Sequence, residues 1–472
     1  MTVLDNSQQH AQINAPLVKR FQRPGLVVET FDLSLLHQLN PQRYPFLLES
    51  VAKGVLGRFD VLFAYPQETL QLEDIEQAKL FVDQAQQQFQ QLINPDIAFE
   101  SELPFMGGWF AYFSYDYAQV IEPVLNLPKS KFPLANLTRI PAAIIIDHQK
   151  QSLELVAEAA FANKLDEMVA DIETVLSQPI ISTQPPVVLT ATEEPEEKYL
   201  NGVEAIKEYI LAGDIFQVNV SRLWQVNLIE ETDYLSVYQA LRKSNPAPFA
   251  ALAVMQTEDG LPWQIMSSSP ERLVKYQHPW VETRPIAGTR KRGKDAAADQ
   301  ALVEELIEHP KERAEHIMLI DLERNDLGRI SKPGSVEVNE LMVVESYQHV
   351  HHIVSNVRGQ LQSGLSPLDI IHALFPGGTI TGCPKIRCME IIAELEQMPR
   401  DAYTGSLGYI NLDGSLDLNI LIRTMMQFEE QGLPVVQFRA GAGIVADSIA
   451  AHELTESRHK AKGLVKALET EQ

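Results

Sequence analysis

The chain has 472 residues, 45% of them hydrophobic and 22% charged, and its formal net charge at pH 7 is −24. This composition is typical of a globular protein with a large core, and so acidic a chain is a poor ligand for nucleic-acid phosphates. We therefore expect no nucleic-acid partner, and an anionic substrate would need a local basic pocket.

The sequence also predicts a cytoplasmic protein without a membrane segment. The stretch Met1–Lys19 is polar and lacks the apolar region of a signal peptide. The best apolar stretches, such as Ala142–Ile146, are too short to span a bilayer. The two cysteines, Cys383 and Cys388, fit a reducing compartment, and their spacing matches no familiar zinc motif.

Residues 17–176 are predicted to form an N-terminal region of short strands and Gln-rich helices. The clearest helical stretch is Ile75–Leu92. The strand-like runs are Val61–Ala64, Phe110–Tyr115, Ala142–Asp147 and Ser152–Leu155. Residues 177–197 are rich in Pro, Thr and Glu without apolar periodicity, which predicts a linker.

Residues 198–468 are predicted to form the second and larger domain. Tyr199–Leu211 has helical apolar spacing and ends before Gly213, a suitable C-cap. The helical pattern Leu302–Ile320 is interrupted by Pro310, so a new helix is predicted to start at that proline.

The C-terminal third contains a predicted hairpin and a closing helix. The hairpin consists of Leu407–Leu412, the turn Asp413-Gly414 and Ser415–Thr424. The closing helix is predicted over Ser448–Leu468. Because strands and helices come in groups rather than in strict alternation, the predicted fold class is α+β.

Two helical segments carry the same spacing of acids. Glu312 and Glu315 are three residues apart, and so are Glu453 and Glu456. Each pair lies on one helical face and can direct two carboxylates at one point. Two facing pairs would suit a magnesium ion, which prefers hard oxygen ligands. The same spacing is common on solvated helix faces, so spacing alone leaves both interpretations open.

Cationic and glycine-rich positions occur in the same region. Lys460 lies four residues after Glu456, and Arg423 is predicted inside the apolar strand Leu418–Met426. A guanidinium buried there needs an anionic partner, either a structural glutamate or a bound carboxylate. Gly441-Ala442-Gly443, predicted to follow a strand, would let backbone N–H groups approach an anion.

Several stretches of the second domain resemble the chorismate-binding enzyme family. They occur in the family's order, and they are Gly213–Asn219, Ser269–Arg272, Arg284–Arg290, Ala314–Leu322, Arg324–Leu327, His352–Ser355, Gly378–Lys385, Ile422–Thr424 and Gly441–Val445. The resemblance implies a large intertwined fold with a β-sandwich core flanked by helices. It also implies an enzyme that acts on chorismate, a small dianion.

The resemblance implies a role for each matching position. The implied magnesium ligands are Glu315 and Glu456, supported through water by Glu312 and Glu453. The implied substrate-binding residues are Thr379 in the loop Phe375–Gly382, Tyr409, Arg423, Gly441, Ala442, Gly443 and Lys460. Glu271 resembles the general acid that protonates the departing C4 hydroxyl, and such an acid must stay protonated until it is used. His352 matches a histidine of the aminating members, and its neighbour His351 is interpreted as structural.

Gln217 separates two reaction classes within the family. Members that add water carry a lysine at this position, which acts as the base. Glutamine has no titratable group. The resemblance therefore implies that ammonia, not water, is the nucleophile.

Two aminated products are possible. Amination at C4 gives 4-amino-4-deoxychorismate, a precursor of para-aminobenzoate and folate, whereas amination at C2 with loss of pyruvate gives anthranilate for tryptophan synthesis. The stretches Phe375–Gly382, Arg58–Asp60 and Met106–Trp109 resemble the first branch, which we favour. Ala287 opposes this assignment, because many members of that branch carry a lysine there that attacks C2 covalently. A non-catalytic sensor of chorismate or tryptophan is a further alternative, which the intact Glu271 disfavours.

The resemblance also implies a regulatory segment and a partner. Leu48, Glu49 and Ser50 resemble a segment that binds tryptophan in related enzymes. Neither cysteine lies at the strand–helix elbow expected of a glutamine amidotransferase. A separate glutamine amidotransferase subunit is therefore predicted to supply the ammonia.

Overall fold

The computed structural model describes residues 16–52, 57–95, 97, 101–178, 184–346 and 350–469. Strands and helices are grouped along the chain, and the strands form two large antiparallel sheets. This arrangement confirms the predicted α+β class with a two-sheet core. Most of the N-terminal stretch Met1–Lys19 and residues 179–183 of the predicted linker lie outside the described residues.

The first sheet contains 12 strands among the described residues. In spatial order they are β1 (Leu17–Phe21), β8 (Ser152–Ala157), β7 (Ala142–Asp147), β3 (Phe59–Ala64), β2 (Phe46–Glu49), β11 (Phe249–Gln256), β12 (Pro262–Ser269), β21 (Thr424–Glu430), β22 (Leu433–Ile444), β10 (Gln217–Leu228) and β18 (Gly382–Cys383), with β9 (Val188–Glu193) paired to β10.

The second sheet contains 10 strands within the same described ranges. In spatial order they are β15 (Ile286–Lys291), β17 (Val350–Gln360), β14 (Trp280–Thr283), β13 (Arg272–Gln277), β20 (Leu416–Asn419), β19 (Ser406–Asn411), β5 (Gly108–Phe113), β6 (Ala135–Ile140) and β4 (Thr69–Leu72), with β16 (Glu337–Ser346) paired to β17.

Helices cover the outer faces of the two sheets. The α-helices are α1 (Ser34–Leu39), α2 (Ala78–Leu92), α3 (Ala118–Ile121), α4 (Lys164–Ser177), α5 (Glu196–Ala212), α6 (Tyr234–Ser244), α7 (Ala296–Glu308), α8 (Pro310–Gly328), α9 (Pro367–Leu374), α10 (Lys385–Glu396) and α11 (Ala450–Leu468). Short 3₁₀ turns occur at Val28–Thr30, Ile75–Gln77, Tyr115–Tyr117, Ala159–Phe161 and Gly378–Ile380. No helix of the described part of the chain is long and apolar enough to cross a membrane.

The two sheets pack face to face through an aromatic layer. Phe46 of the first sheet stacks on Phe110 of the second, with ring centroids 3.9 Å apart. Tyr112 meets Trp263 edge to face at 5.4 Å. Alternate residues of both inner faces are buried in this layer, as expected of a sandwich. The β-sandwich core implied by the resemblance is therefore present.

The N-terminal and C-terminal parts of the sequence share both sheets. In the first sheet β2 pairs with β11, with Phe46 opposite Ala253. In the second sheet β5 pairs with β19, with Phe110 opposite Tyr409. Residues 17–176 and 198–468 are thus intertwined.

The predicted linker contains regular structure. Val188–Glu193 forms β9 along β10, and α5 begins at Glu196. The expectation of an irregular segment is therefore wrong for this part. β9 is mostly exposed, so its outward residues need not be apolar and leave no hydrophobic alternation in the sequence.

The predictions based on local backbone signals are confirmed. Gly213 caps α5 in the left-handed conformation with φ 85°. Pro310 occupies the first turn of α8, and Gly414 (φ 85°) lies in the turn between β19 and β20. Each signal acts within a few residues, so it does not depend on distant packing.

A buried charge network joins β10, β22 and α10. Glu396 binds Arg400 at 2.6 Å and Arg439 at 2.9 Å, and the Ser221 backbone N–H donates to it at 2.8 Å. Arg400 donates to the Asn219 carbonyl at 2.8 Å. Burial alone would raise the pKa of Glu396, but the two guanidinium groups outweigh it and lower the pKa to about 2.

We predict that Glu396→Gln lowers the free energy of unfolding by about 3 kcal/mol or more, because two buried guanidinium groups lose their counter-charge. Urea denaturation at pH 7 measures the loss. Because the pKa of Glu396 is lower in the folded chain than its ordinary 4.5, its stabilisation is complete above pH 4.5 and disappears as the pH falls toward 2. Glu394→Gln, at an exposed position of the same helix, is the control. Equal stability of the two variants would contradict the prediction.

Candidate active site

Glu271, between β12 and β13, is a buried carboxylic acid held by a threonine. Its side chain is 6% exposed, and the Thr379 hydroxyl donates to Glu271 Oε1 at 2.8 Å. Burial raises the pKa of Glu271 to about 7, although Thr379 and the cations Arg423 and Lys460 lower it in part. Glu271 is therefore poised as a proton donor near neutral pH.

The loop that carries Thr379 is fixed from two sides. On the α8 side, a Cβ atom at Gly378 would come within 2.2 Å of Leu322 Cδ2, so a larger residue there would displace the Leu322 side chain. On the β10 side, the Asn219 N–H donates to the Thr381 carbonyl at 2.8 Å. The loop around Thr379 is therefore held by close packing on α8 and by a backbone hydrogen bond to β10.

Arg423 lies in a turn and not, as predicted, inside a strand. β20 ends at Asn419 and β21 begins at Thr424, and Arg423 has φ 52°. Its carbonyl accepts a hydrogen bond from the Ser268 N–H at 3.1 Å, which fixes this conformation. Left-handed backbone at a non-glycine residue costs free energy and is concentrated at functional sites.

The guanidinium of Arg423 is open to an anion. Among the described residues it makes no hydrogen bond and no ion pair. Burial lowers the pKa of Arg423, and Glu271 is the carboxyl that counteracts this effect. A bound carboxylate would supply the missing partner.

His352 is buried beside Arg423 as a neutral imidazole. Burial, together with the charge of Arg423, lowers the pKa of His352 to about 4, although a hydrogen bond to the Gly288 carbonyl opposes the shift. His351 has a different environment, where Asp299 lies 2.9 Å from Nε2 and Ser346 lies 2.7 Å from Nδ1. This geometry fits the structural role predicted for His351.

Gln217 connects α8 to the start of β10. Its Nε2 donates to Glu315 Oε1 at 3.1 Å. A Cβ atom at Gly443 would lie 2.5 Å from the same nitrogen, so glycine is needed for the approach. Gln217 Oε1 is buried without a hydrogen-bond partner among the described residues.

Gly441, Ala442 and Gly443 lie inside β22, which corrects the prediction that they follow a strand. Pairing of β22 with β10 continues to Ile444, whereas pairing with β21 ends at Phe438. In the described chain, the second edge of β22 therefore has no strand partner beyond Phe438. Unpaired backbone N–H groups on such an edge can bind a carboxylate.

The two carboxylate pairs lie on helices, as predicted, but in different environments. On α8, Glu312 binds Arg290 at 2.7 Å while its Oε2 is buried without a partner within the described ranges. On α11, Glu456 binds Lys460 at 2.8 Å and its side chain is 50% exposed. Glu453 and Glu456 both lie near Tyr199 of α5.

In the part of the chain that the structure describes, no three His, Cys, Asp or Glu side chains lie close enough together to hold a metal ion. The unpartnered Glu312 Oε2 and the Glu315 carboxylate are nevertheless hard oxygen donors on one helical face. These α8 residues fit a magnesium ion.

Tyr409, an implied substrate-binding residue, lies on β19. Its ring lines a separate cavity of about 780 Å³ together with Leu48, Glu49 and Ser50. Tyr403 lies near Tyr199 of α5.

Neither cysteine is activated as a nucleophile. Cys388 donates to the Gln217 carbonyl at 3.1 Å, and burial raises the pKa of its thiol to about 12. Burial and the nearby Asp326 also raise the pKa of Cys383. Both thiols are therefore protonated at neutral pH, unlike the thiolate of a glutamine-hydrolysing enzyme.

Comparison with known proteins identifies the relatives of this chain. The family profile described as chorismate binding enzyme matches residues 43–466. An anthranilate synthase component I-like protein of Synechocystis sp. is 47% identical over 377 residues, covering 78% of this chain and 74% of that protein. Aminodeoxychorismate synthase component 1 of Bacillus subtilis is 44% identical over 383 residues, covering 77% of each protein.

A solved structure has the same fold. The crystal structure of anthranilate synthase component I from Streptococcus pneumoniae TIGR4 superposes with a TM-score of 0.73 at 28% identity. The match covers 94% of this chain and 100% of that one. The names of the relatives thus divide between aminodeoxychorismate synthase and anthranilate synthase.

Proposed function

The chain belongs to the chorismate-binding enzyme family, and from this premise we propose that it aminates chorismate at C4 to give 4-amino-4-deoxychorismate. The observation that carries the proposal is that the chain has both a buried acid, Glu271, and a glutamine, Gln217. Gln217 stands at the position where water-adding members have a basic lysine. A proton donor is available for the leaving hydroxyl, and Gln217 supplies no base to activate water. Ammonia is already a competent nucleophile.

The proposed reaction requires binding of two carboxylates and one proton transfer. The open guanidinium of Arg423 and the free edge of β22 bind the substrate's anionic groups. Glu271 donates its proton to the C4 oxygen, the C4–O bond breaks and water leaves. Ammonia forms the new C–N bond, and the proton that the nitrogen loses restores Glu271.

We propose magnesium as the cofactor, held by Glu315 and Glu456 with Glu312 and Glu453 nearby. The cation would supply positive charge that neutralises a substrate carboxylate. The residues of this chain place the carboxylates on two helices and keep Glu315 oriented through Gln217. The salt bridge between Glu456 and Lys460 has to rearrange for Glu456 to become a ligand.

We propose that a separate glutamine amidotransferase supplies the ammonia. Both relatives named above carry component numbers, which implies a second subunit for them. The two protonated thiols of this chain support the same division of labour.

The cavity beside Tyr409 supports the hypothesis that Leu48, Glu49 and Ser50 bind tryptophan. It combines apolar walls, such as Phe59 and Phe249, with charged and hydroxyl groups, which suits an aromatic amino acid. Binding there would be separate from the reaction site.

The second candidate function is formation of anthranilate. Ala287 on β15 is buried and has no amine, so covalent attack on C2 from this position is excluded. The Synechocystis relative at 47% identity also carries an anthranilate synthase-like name. Ammonia would then enter at C2, with subsequent loss of pyruvate.

The product distinguishes the two functions. The purified chain is incubated with chorismate, ammonium and magnesium, and the products are identified by mass spectrometry. We expect 4-amino-4-deoxychorismate, which retains the enolpyruvyl group. Anthranilate together with pyruvate would overturn the proposal in favour of the second candidate.

We predict that Glu271→Gln lowers turnover of chorismate by about 100-fold or more, because glutamine cannot donate the proton. Chorismate affinity, measured by calorimetry, should change by less than about threefold, since the neutral side chain keeps its shape. Glu258→Gln, at an exposed position, is the control. Unchanged turnover in Glu271→Gln would remove the acid role.

We predict that Glu315→Gln and Glu456→Gln each raise the magnesium concentration for half-maximal rate by about tenfold or more, because each loses a charged ligand. A magnesium titration of the rate measures this shift. Glu308→Gln, at an exposed position of α7, should behave like the wild type. Curves that coincide with the wild type would contradict the ligand assignment.

A further inference from the structure

Glu323 is a second buried acid near Glu271 for which the proposed reaction has no use. Glu323 lies on α8 and is 5% exposed. One turn later on the same helix, Asp326 forms an ion pair with Lys385. The Thr283 hydroxyl donates a hydrogen bond to the Glu323 carboxyl. Burial raises the pKa of Glu323 to about 7, close to that of Glu271.

The carboxyl of Glu323 lies against the loop that positions Glu271. A Cβ atom at Gly378 would be 3.4 Å from Glu323 Oε1. The next residue of the loop, Thr379, donates to Glu271 at 2.8 Å. Adjacent loop residues therefore contact the two acids, and no bulky side chain can separate them at Gly378.

Three charged groups, among them Glu271, act on Glu323. Asp326 raises the pKa of Glu323, Lys385 lowers it, and Glu271 raises it further. Asp326 and Lys385 form their own ion pair at 2.6 Å, so their opposite effects on Glu323 partly cancel.

The charged groups that face Glu271 are cations. Arg423, before β21, and Lys460, on α11, both favour its ionised form. Burial opposes them, and a repulsive carboxyl nearby would add to the effect of burial.

We propose that Glu323 is a positioning residue for the general acid Glu271. Its ionisable carboxyl lies against the loop that carries Thr379 and, by like-charge repulsion, keeps Glu271 protonated to higher pH. This inference rests on the proposed function, because it assumes that Glu271 donates the proton. When two carboxyls interact, removal of the first proton makes removal of the second harder. Ionisation of Glu323 therefore helps Glu271 to retain its proton, whichever site loses a proton first.

The test compares the pH dependence of chorismate turnover at saturating magnesium and ammonia in the full chain. Glu323→Gln is expected to keep its rate within about threefold on the plateau at acidic pH, where Glu271 is fully protonated. Its alkaline limb should move to lower pH by about 0.5 unit or more, because glutamine cannot carry the repelling charge. Glu323→Asp, which restores an ionisable carboxyl, should keep the limb closer to the wild-type position. Asp321→Asn, on the exposed side of the same helix, should leave the limb unchanged.

Three results would overturn the inference. They are an alkaline limb of Glu323→Gln that coincides with the wild type, an equal loss of rate at all pH values, and a limb of Glu323→Asp shifted as far as that of Glu323→Gln. The second of these would indicate a purely structural role. If Glu323→Gln does not fold, as judged by thermal unfolding, the comparison of Glu323→Asp with Asp321→Asn decides. The shorter side chain withdraws the carboxyl from the loop, so a limb of Glu323→Asp at lower pH than that of Asp321→Asn supports the inference. A limb at the wild-type position or on its alkaline side overturns it. Failure of the proposed function is recognised separately, by unchanged turnover in Glu271→Gln.

Discussion

The close antiparallel pairing of β10 and β22 is the constraint on which the candidate site depends. At Gly441 a Cβ atom would lie 2.0 Å from the Val220 carbonyl, and at Gly443 it would meet the Gln217 side chain. The two glycines therefore allow one strand to carry Gln217 and the other to present an unpaired backbone edge. The buried Glu396 network fixes the same strands to α10 and to the loop that holds Thr379. Site geometry and core stability consequently share one set of contacts.

Electrostatics in this protein are organised by burial rather than by net charge. Glu271 and Glu396 are both buried, yet their pKa values move in opposite directions. Two guanidinium groups bind Glu396 directly, whereas Glu271 receives one hydroxyl hydrogen bond and only more distant cations. The first arrangement stabilises a permanent charge and the second preserves a proton for chemistry.

Features that depend on a few neighbouring residues could be predicted from the sequence, whereas features that depend on contacts between distant strands could not. Pro310, Gly213 and the Asp413-Gly414 turn act through local backbone preferences, and the elements they mark were predicted correctly. The position of Arg423 in a turn, by contrast, depends on its carbonyl contact with Ser268 in a distant strand. In the sequence, the glycines of β22 look like the end of a strand, because glycine weakens a strand. They are compatible with β22 because β10 approaches closely at these positions, which the local sequence does not show.

For the site itself, the resemblance to a family identified residues that spacing alone could not assign. The acid Glu271 and the neutral His352 acquire their properties from burial, which a single sequence does not display. Tyr409 lines one cavity with Leu48, Glu49 and Ser50, a proximity that depends on the tertiary fold and is not visible in the local sequence. Glu323 had no motif role and emerged only from its contact with Gly378.

The pairing of β2 with β11 has a consequence for biosynthesis. Phe46 and Ala253 are neighbours in the first sheet although most of the N-terminal half separates them in sequence. A ribosome that has released only the first half of the chain therefore exposes an apolar strand edge that must wait for its partner. Such a protein is completed late in translation, and chaperones that shield unpaired strand edges would be most valuable during that interval.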